Sequence, residues 1–247
     1  MSPTFSRQFL IALRQWWNEQ ASDKGISGAS SLLARELWEF LRDSTPARRR
    51  QRYGDMEYDW EHRVNTTSGT VGWRERLLGV LHSAYQPTDP AAFREMMAAL
   101  PIQFDQFSFV DLGSGKGRTL LLASEYPFRR IVGVELLPAL HHIAQENLAR
   151  YKSEAQKCFA LEAVCCDAID YSFPAEPLLL YLFNPLPESG LRRVMANLER
   201  SLRAHPRAVY VLYHNPVLEH VLNESAAFTK RDGTHQYSIF AFTNHAA

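Results

Sequence analysis

The sequence predicts an α/β protein, a seven-stranded, mostly parallel, doubly wound sheet with an N-terminal helical extension. Three observations predict it. From Pro101 onward, short apolar runs alternate with longer segments whose apolar residues recur at helical spacing. Those runs are apolar throughout instead of alternating, as strands covered on both faces require. The first 105 residues obey the helical rule alone, and this change of rule marks a boundary between a helical N-terminal region and a sheet domain.

In the N-terminal region, Phe5, Phe9, Leu10, Leu13, Trp16 and Trp17 define one amphipathic helix, and Leu32, Leu33, Leu37, Phe40 and Leu41 a second. A cationic block, Arg48-Arg49-Arg50-Gln51-Arg52, then stands beside Asp55, Glu57, Asp59 and Glu61. A solvated helix end with local charge pairing accounts for this run, and a phosphate contact is the alternative. Asn65-Thr66-Thr67-Ser68-Gly69 is polar and reads as a flexible gate, in keeping with an N-terminal region that packs over a cleft in the sheet domain.

Strands are expected near 107–111, 130–135, 160–165, 177–183 and 207–213, with helices near 117–126, 138–151, 188–204 and 216–226. Phe228 to Asn244 holds two strand-like runs, FTKR and YSIFAF, around Asp232-Gly233, which predicts an antiparallel hairpin ending the sheet.

Composition narrows the function classes. There are 27 basic and 27 acidic residues, divided evenly on either side of residue 106, so bulk charge disfavours a nucleic-acid partner. Three cysteines, Cys158, Cys165 and Cys166, encode neither a disulfide framework nor a zinc site and suit a reducing compartment. The longest apolar run, PLLLYLF from Pro177 to Phe183, is far short of the ~20 residues that span a bilayer. Polar residues through Met1 to Asn18 do not read as a signal peptide, so a cytoplasmic protein without membrane association is expected. His141 and His142 are neighbours about 100° apart around a helix and form no paired ligand face, so no metal is expected.

The most informative stretch is Val110-Asp111-Leu112-Gly113-Ser114-Gly115-Lys116-Gly117-Arg118-Thr119, between the first strand of the sheet domain and the next helix. Alternate glycines permit a sharp turn and close approach of a ligand to the backbone, and the helix start favours negative charge. A P-loop needs glycine at Val110 and a hydroxyl at Gly117. A dinucleotide fingerprint needs glycine at Arg118, where a bulky side chain obstructs helix-to-strand packing.

The spacing Asp111-x-Gly113-x-Gly115-x-Gly117 instead resembles the first motif of the class I S-adenosylmethionine (SAM) dependent methyltransferases, and the resemblance runs from about Tyr85 onward, which implies a helical N-terminal cap over residues 1–84 and a SAM-binding domain over residues 85–247. It implies SAM as cofactor, with the loop residues Asp111, Gly113, Ser114, Gly115 and Gly117 around its methionine end. It further implies that Glu135, closing RIVGVE, takes the ribose hydroxyls, since a carboxylate accepts two hydrogen bonds side by side. Leu136 would pack on the adenine, core packing being the alternative. Asp167 would accept from the adenine amino group, with the Ala168 N–H donating to the ring. An Asp that merely caps the next turn is the alternative.

After the fourth strand, Asn184-Pro185-Leu186-Pro187 keeps two of four residues of the Asp/Asn-Pro-Pro-Tyr/Phe motif found in amino-methylating members. By that resemblance Asn184 and Pro185 face the methyl donor, while the missing aromatic argues against a flipped nucleobase. Tyr85-Gln86-Pro87-Thr88 beside the glycine loop is similar to protein lysine methyltransferases of the Dot1-like type, placing Tyr85 and Thr88 at the methionine end of SAM. A turn followed by an N-cap also explains Pro87 and Thr88.

Methyl transfer from a sulfonium is an in-line displacement that needs positioning and exclusion of water more than an acid-base dyad. An amine acceptor must still lose a proton. Asn184 and its neighbours can orient it, and Tyr213 and His214 at the end of the fifth strand are alternative mouth residues, His214 being titratable. The expectation is therefore a SAM-dependent methyltransferase acting on a protein side chain, lysine favoured, or on a small metabolite. A SAM-binding regulator without catalysis and a nicotinamide-dependent oxidoreductase are the alternatives.

Overall fold

The computed structural model describes residues 3–43, 56–67 and 86–243. The chain divides into two compact units, Met1–Glu61 with Thr67–Gln86, and His62–Thr66 with Pro87–Ala247. In the first, the helical run α1 (Pro3–Asp43) is broken at Gly25, whose φ of 70° and ψ of 171° leave the helical region between the two apolar series of the sequence. A short helix, α2 (Met56–His62), follows. Asp59 is not solvated as the charge run predicts: it is buried, and its Oδ2 accepts the Thr67 N–H at 2.8 Å. The block from Arg48 to Arg52, Asp55, Ser68, Gly69 and Tyr85 lie outside the described residues.

The second unit opens with α3 (Pro90–Ala98). Its start is set locally by Asp89, whose Oδ1 accepts the Ala92 N–H at 2.9 Å, and by Pro90, whose missing N–H costs nothing there. There follow β1 (Ser108–Leu112), α4 (Arg118–Ala123), β2 (Ile131–Glu135), α5 (Pro138–Arg150), β3 (Leu161–Cys165), β4 (Leu178–Leu182), α6 (Glu188–Ala204), β5 (Val209–His214), α7 (Glu219–Asn223), β6 (Phe228–Gly233) and β7 (Tyr237–Phe242).

The sheet order is β3-β2-β1-β4-β5-β7-β6. The first five strands pair parallel, and β7 runs antiparallel to both β5 and β6. This is the seven-stranded, mostly parallel sheet that the sequence predicts.

Every residue of β1, β2 and β4 is buried, which is why these strands read as continuous apolar runs. One face of the sheet, with Val110, Leu180 and Val211, packs against Leu191, Val194, Leu198 and Leu202 of α6, which recur at helical spacing. Cover on both faces fails at the edge strand β3, where Glu162 and Cys165 are exposed and their neighbours half-buried. At the opposite edge, β6 exposes Thr229 to Asp232, a charged rim that resists pairing with another chain.

The terminal hairpin is present, but its turn is displaced from Asp232-Gly233. A register irregularity between Lys230 and Asp232 lets both residues pair, Asp232 with Ile239 and Gly233 with Ser238. The chain reverses instead at Thr234 to Gln236, with Thr234 N–H donating to the Tyr237 carbonyl at 2.8 Å.

Candidate functional site

The strand order reverses at β1 and β4, and in open α/β sheets the crevice outside the carboxyl ends of such strands is where ligands bind. The loop after β1 enters this crevice. Its Gly113 and Ser114 N–H groups both donate to the Val134 carbonyl, at 2.8 and 3.0 Å, and the Gly117 N–H closes the turn onto the Ser114 carbonyl at 2.8 Å. Gly113, Gly115 and Gly117 take φ values of 81°, 55° and 83°. At Gly113 a side chain is excluded twice over, by this left-handed φ and because a Cβ there would lie 2.5 Å from the Cβ of Pro185.

Pro185 belongs to the turn after β4, so the Gly113 contact joins two of the expected site segments. The next contact is made by Glu135. Its Oε2 accepts the Gly115 N–H and its Oε1 the Leu137 N–H, both at 2.8 Å. Burial raises the Glu135 carboxyl above its ordinary range, and the backbone N–H bonds oppose that shift. Leu136 beside it is 41% exposed, a large apolar side chain at the rim of the crevice. The Cys166 N–H donates to the Glu135 carbonyl at 3.2 Å, bringing the end of β3 alongside. There Asp167 caps a single 3-10 turn, Ala168–Asp170, its Oδ1 accepting the Ile169 N–H at 3.0 Å. One oxygen of Asp167 thus does the capping that was the alternative reading, and Ala168 is buried in the core.

Arg118, at the position where a dinucleotide fingerprint needs glycine, is fully buried, with Nε donating to Thr66 Oγ1 at 2.6 Å. Burial lowers its guanidinium to about 10. The close helix-to-strand approach is made at Gly133 of β2, where a Cβ would meet Leu120 Cδ1 at 2.5 Å and Ser114 Oγ at 2.7 Å.

The segment read as a flexible gate is pinned where it is described. Asn65 N–H donates to Asn147 Oδ1 at 2.8 Å, and Asn147 Nδ2 donates to the carbonyls of Asn65 and Lys116 at 3.0 and 2.9 Å. Lys116 Nζ, in turn, donates to Asn65 Oδ1 at 3.2 Å.

At the expected mouth, Asn184 has a φ of 45°, and Asn215, at the equivalent turn after β5, has 49°. Asparagine is among the few residues that tolerate this region, and two strained turns preceding proline stand side by side. Asn184 is already bonded at both ends of its amide: Tyr213 OH donates to Oδ1 at 2.9 Å, and Nδ2 donates to the Asn215 carbonyl at 2.7 Å. Tyr213 is therefore a buried support of Asn184 instead of a mouth residue.

His214 is half-buried, its ring stacked on Phe183 with centroids 4.0 Å apart. Burial lowers its imidazole to about 4, against the smaller opposing influence of Asp89, so the ring is neutral at physiological pH. Its Nδ1 shares a hydrogen bond with Tyr181 OH at 2.8 Å. Thr88 is buried, and its hydroxyl bonds Tyr181 OH at 2.9 Å and Thr119 Oγ1 at 3.3 Å. Asp111 is likewise buried and hydrogen-bonded to Thr119, its carboxyl pushed up to about 8, chiefly by burial and then by the charge of Glu135. Thr88 and Asp111 thus stand behind the loop, with Tyr181 and Thr119 as partners that sequence reasoning missed.

Among the described residues no group of three or more His, Cys, Asp or Glu side chains is placed to hold a metal ion, and no helix is long and apolar enough to cross a membrane.

No protein-family model and no curated protein sequence matches the chain. Solved structures similar to it include a Listeria monocytogenes protein described as a predicted N6-adenine-specific DNA methylase (15% identity, TM-score 0.46, 64% of this chain and 51% of that one). Also similar are an RNA methyltransferase from Salinibacter ruber in complex with S-adenosyl-L-homocysteine (20%, 0.43, 64% and 92%) and a ribosomal protein L11 methylase from Lactobacillus delbrueckii subsp. bulgaricus (14%, 0.43, 62% and 77%). The chain thus spans about half the length of the Listeria protein. The expectation that nucleic acid is an unlikely partner, drawn from balanced charge, finds no support among these structures, and neither does a Dot1-like relationship.

Proposed function

We propose that this chain is a SAM-dependent methyltransferase whose acceptor atom is a nitrogen. The observation that carries the reading is the bond from the Gly115 N–H to Glu135 at the point where the strand order reverses. A carboxylate held there keeps lone pairs for two ribose hydroxyls. The other residues suit the same group. Gly113 leaves a cradle that a Cβ would fill, Asp167 keeps one oxygen beyond its cap for an amino group, and Ser114 Oγ is buried without a partner.

In this reading Glu135 holds the ribose, Leu136, Asp167 and the Ala168 N–H hold the adenine, and Gly113, Ser114, Gly115 and Gly117 cradle the methionine end. When bound, SAM supplies a methyl carbon made electrophilic by its sulfonium. The chain orients the acceptor and keeps water away: Pro185 closes against Gly113, Asn184 offers the second lone pair of Oδ1, and His214 offers Nε2 to the proton that the nitrogen gives up. A protein lysine, a nucleobase and a small amine all meet this chemistry. Transfer of labelled methyl to separated protein, nucleic-acid and small-molecule fractions, with His214→Asn as control, identifies the class.

A second reading, a SAM-binding regulator without transfer, is favoured by one observation, the full engagement of the Asn184 amide by Tyr213 and Asn215. SAM binding without label transfer to any fraction supports it.

A further inference from the structure

Five buried or half-buried side chains from five places in the fold form one continuous hydrogen-bonded line. It runs from the Asp111 carboxyl on β1 to Thr119 at the start of α4, Thr88 before α3, Tyr181 on β4 and Nδ1 of His214 at the end of β5. Asp111 and Tyr181 are register partners on adjacent strands, so the line is anchored in the sheet itself. Asp111, Thr88 and Tyr181 are at most 2% exposed and Thr119 is 6% exposed, so water does not complete their bonds.

Each hydroxyl in the line has one proton to give, and when each gives it to a neighbour within the line the donors all point the same way. With Asp111 ionised, Thr119 donates to the carboxylate, Thr88 to Thr119, Tyr181 to Thr88, and His214 donates from Nδ1–H to Tyr181. Nε2 then carries a lone pair. A protonated Asp111 can donate to Thr119; every bond then reverses, Tyr181 donates to Nδ1, and Nε2 carries hydrogen and has no basic function.

We propose that this line sets which tautomer His214 presents, with Tyr181 as a positioning residue and Asp111 as the final holder of the proton released by the acceptor. The catalytic consequence rests on the methyl-transfer reading above. In the step itself the acceptor N–H bond breaks and an Nε2–H bond forms. Nδ1 passes its proton to Tyr181, Tyr181 its own to Thr88, Thr88 to Thr119 and Thr119 to Asp111. One proton leaves the acceptor and one arrives on Asp111.

Among the described residues, few groups face the two ends. His214 meets Tyr181, the Phe183 ring and the charge of Asp89, and Tyr237 lies opposite it on β7. Asp111 meets Thr119 and the charge of Glu135. The carboxyl rise to about 8 keeps Asp111 protonated at neutral pH, so a cationic ligand in the glycine loop is needed to ionise it there. The donor would thereby arm its own base.

The test is nitrogen NMR of the full chain labelled in histidine, with His214 assigned by its loss in His214→Asn. Between about pH 6 and about pH 10 the ring changes from the Nε2–H to the Nδ1–H tautomer. Tyr181→Phe abolishes that change, and Asp111→Ala, which removes the titrating end of the line, leaves one tautomer unchanged across the range; the second variant decides the matter if the first does not fold. An unchanging wild-type tautomer, or a change that survives in either variant, overturns the proposal. At neutral pH, SAM drives the same change and S-adenosylhomocysteine, lacking the sulfonium charge, drives less of it. SAM that binds by calorimetry without moving the tautomer also overturns it. Failure of SAM to bind overturns the reading of the site instead and leaves the pH response to decide the line.

Discussion

Glu135 and Gly115 are joined by a 2.8 Å hydrogen bond from backbone N–H to carboxylate, so the side chain proposed to hold the ligand's sugar also fixes the loop proposed to cradle its other end. Glu135→Gln keeps one acceptor oxygen but sets an amide donor against a backbone N–H. It is expected to cost about 1–3 kcal/mol in urea unfolding and to remove most of the thermal shift given by SAM.

Gly113→Ala brings a Cβ to 2.5 Å from Pro185 at a φ of 81°. The combined strain and overlap predict a loss of about 2–4 kcal/mol, whereas Gly25→Ala, where no atom lies within 4 Å, costs only the strain of its φ. Chemical denaturation of the two variants checks the difference.

Asn147 is buried and its amide closes three bonds to the backbone of Asn65 and Lys116. Asn147→Ala leaves those groups in want of partners, and a fall in stability of about 2–4 kcal/mol is expected, with hydrogen exchange quickening at Asn65.

The folded Asp111 carboxyl holds its proton to about 8, against an ordinary 3.8. Between those values the native state binds a proton that the unfolded chain has released, so Asp111 lowers stability as pH rises through the window, and the loss levels off above it. His214 acts oppositely lower down: its fall to about 4 from 6.5 makes stability rise between those values. Urea midpoints measured from about pH 6.5 to about pH 8.5 should fall less steeply in Asp111→Asn than in wild type.

Much of this was legible in the sequence because burial of a parallel sheet leaves a direct trace: Phe109, Val132 and Leu180 sit in unbroken apolar runs because both faces are covered. Glu135 was legible because its place at a strand end is fixed by the preceding run. The turn at Asp232-Gly233 misled because a bulge leaves no compositional mark. Tyr181 reads as one more core residue inside PLLLYLF, and its partners Thr88 and His214 lie 93 and 33 residues away, a pairing that only the folded sheet makes. The Asn-Pro pair repeated after β4 and β5 was the available sign that two matching strained turns border the site. The bond from Arg118 to Thr66, 52 residues distant, was not legible, because only the folded chain brings the two together.

Calorimetric titration of SAM into the full chain, alongside Glu135→Ala and with NADH as the competing ligand, tests the central claim most directly. Saturable binding of one SAM per chain, abolished in Glu135→Ala and absent for NADH, is the predicted result. Heat from NADH alone, or SAM binding untouched by Glu135→Ala, would contradict it.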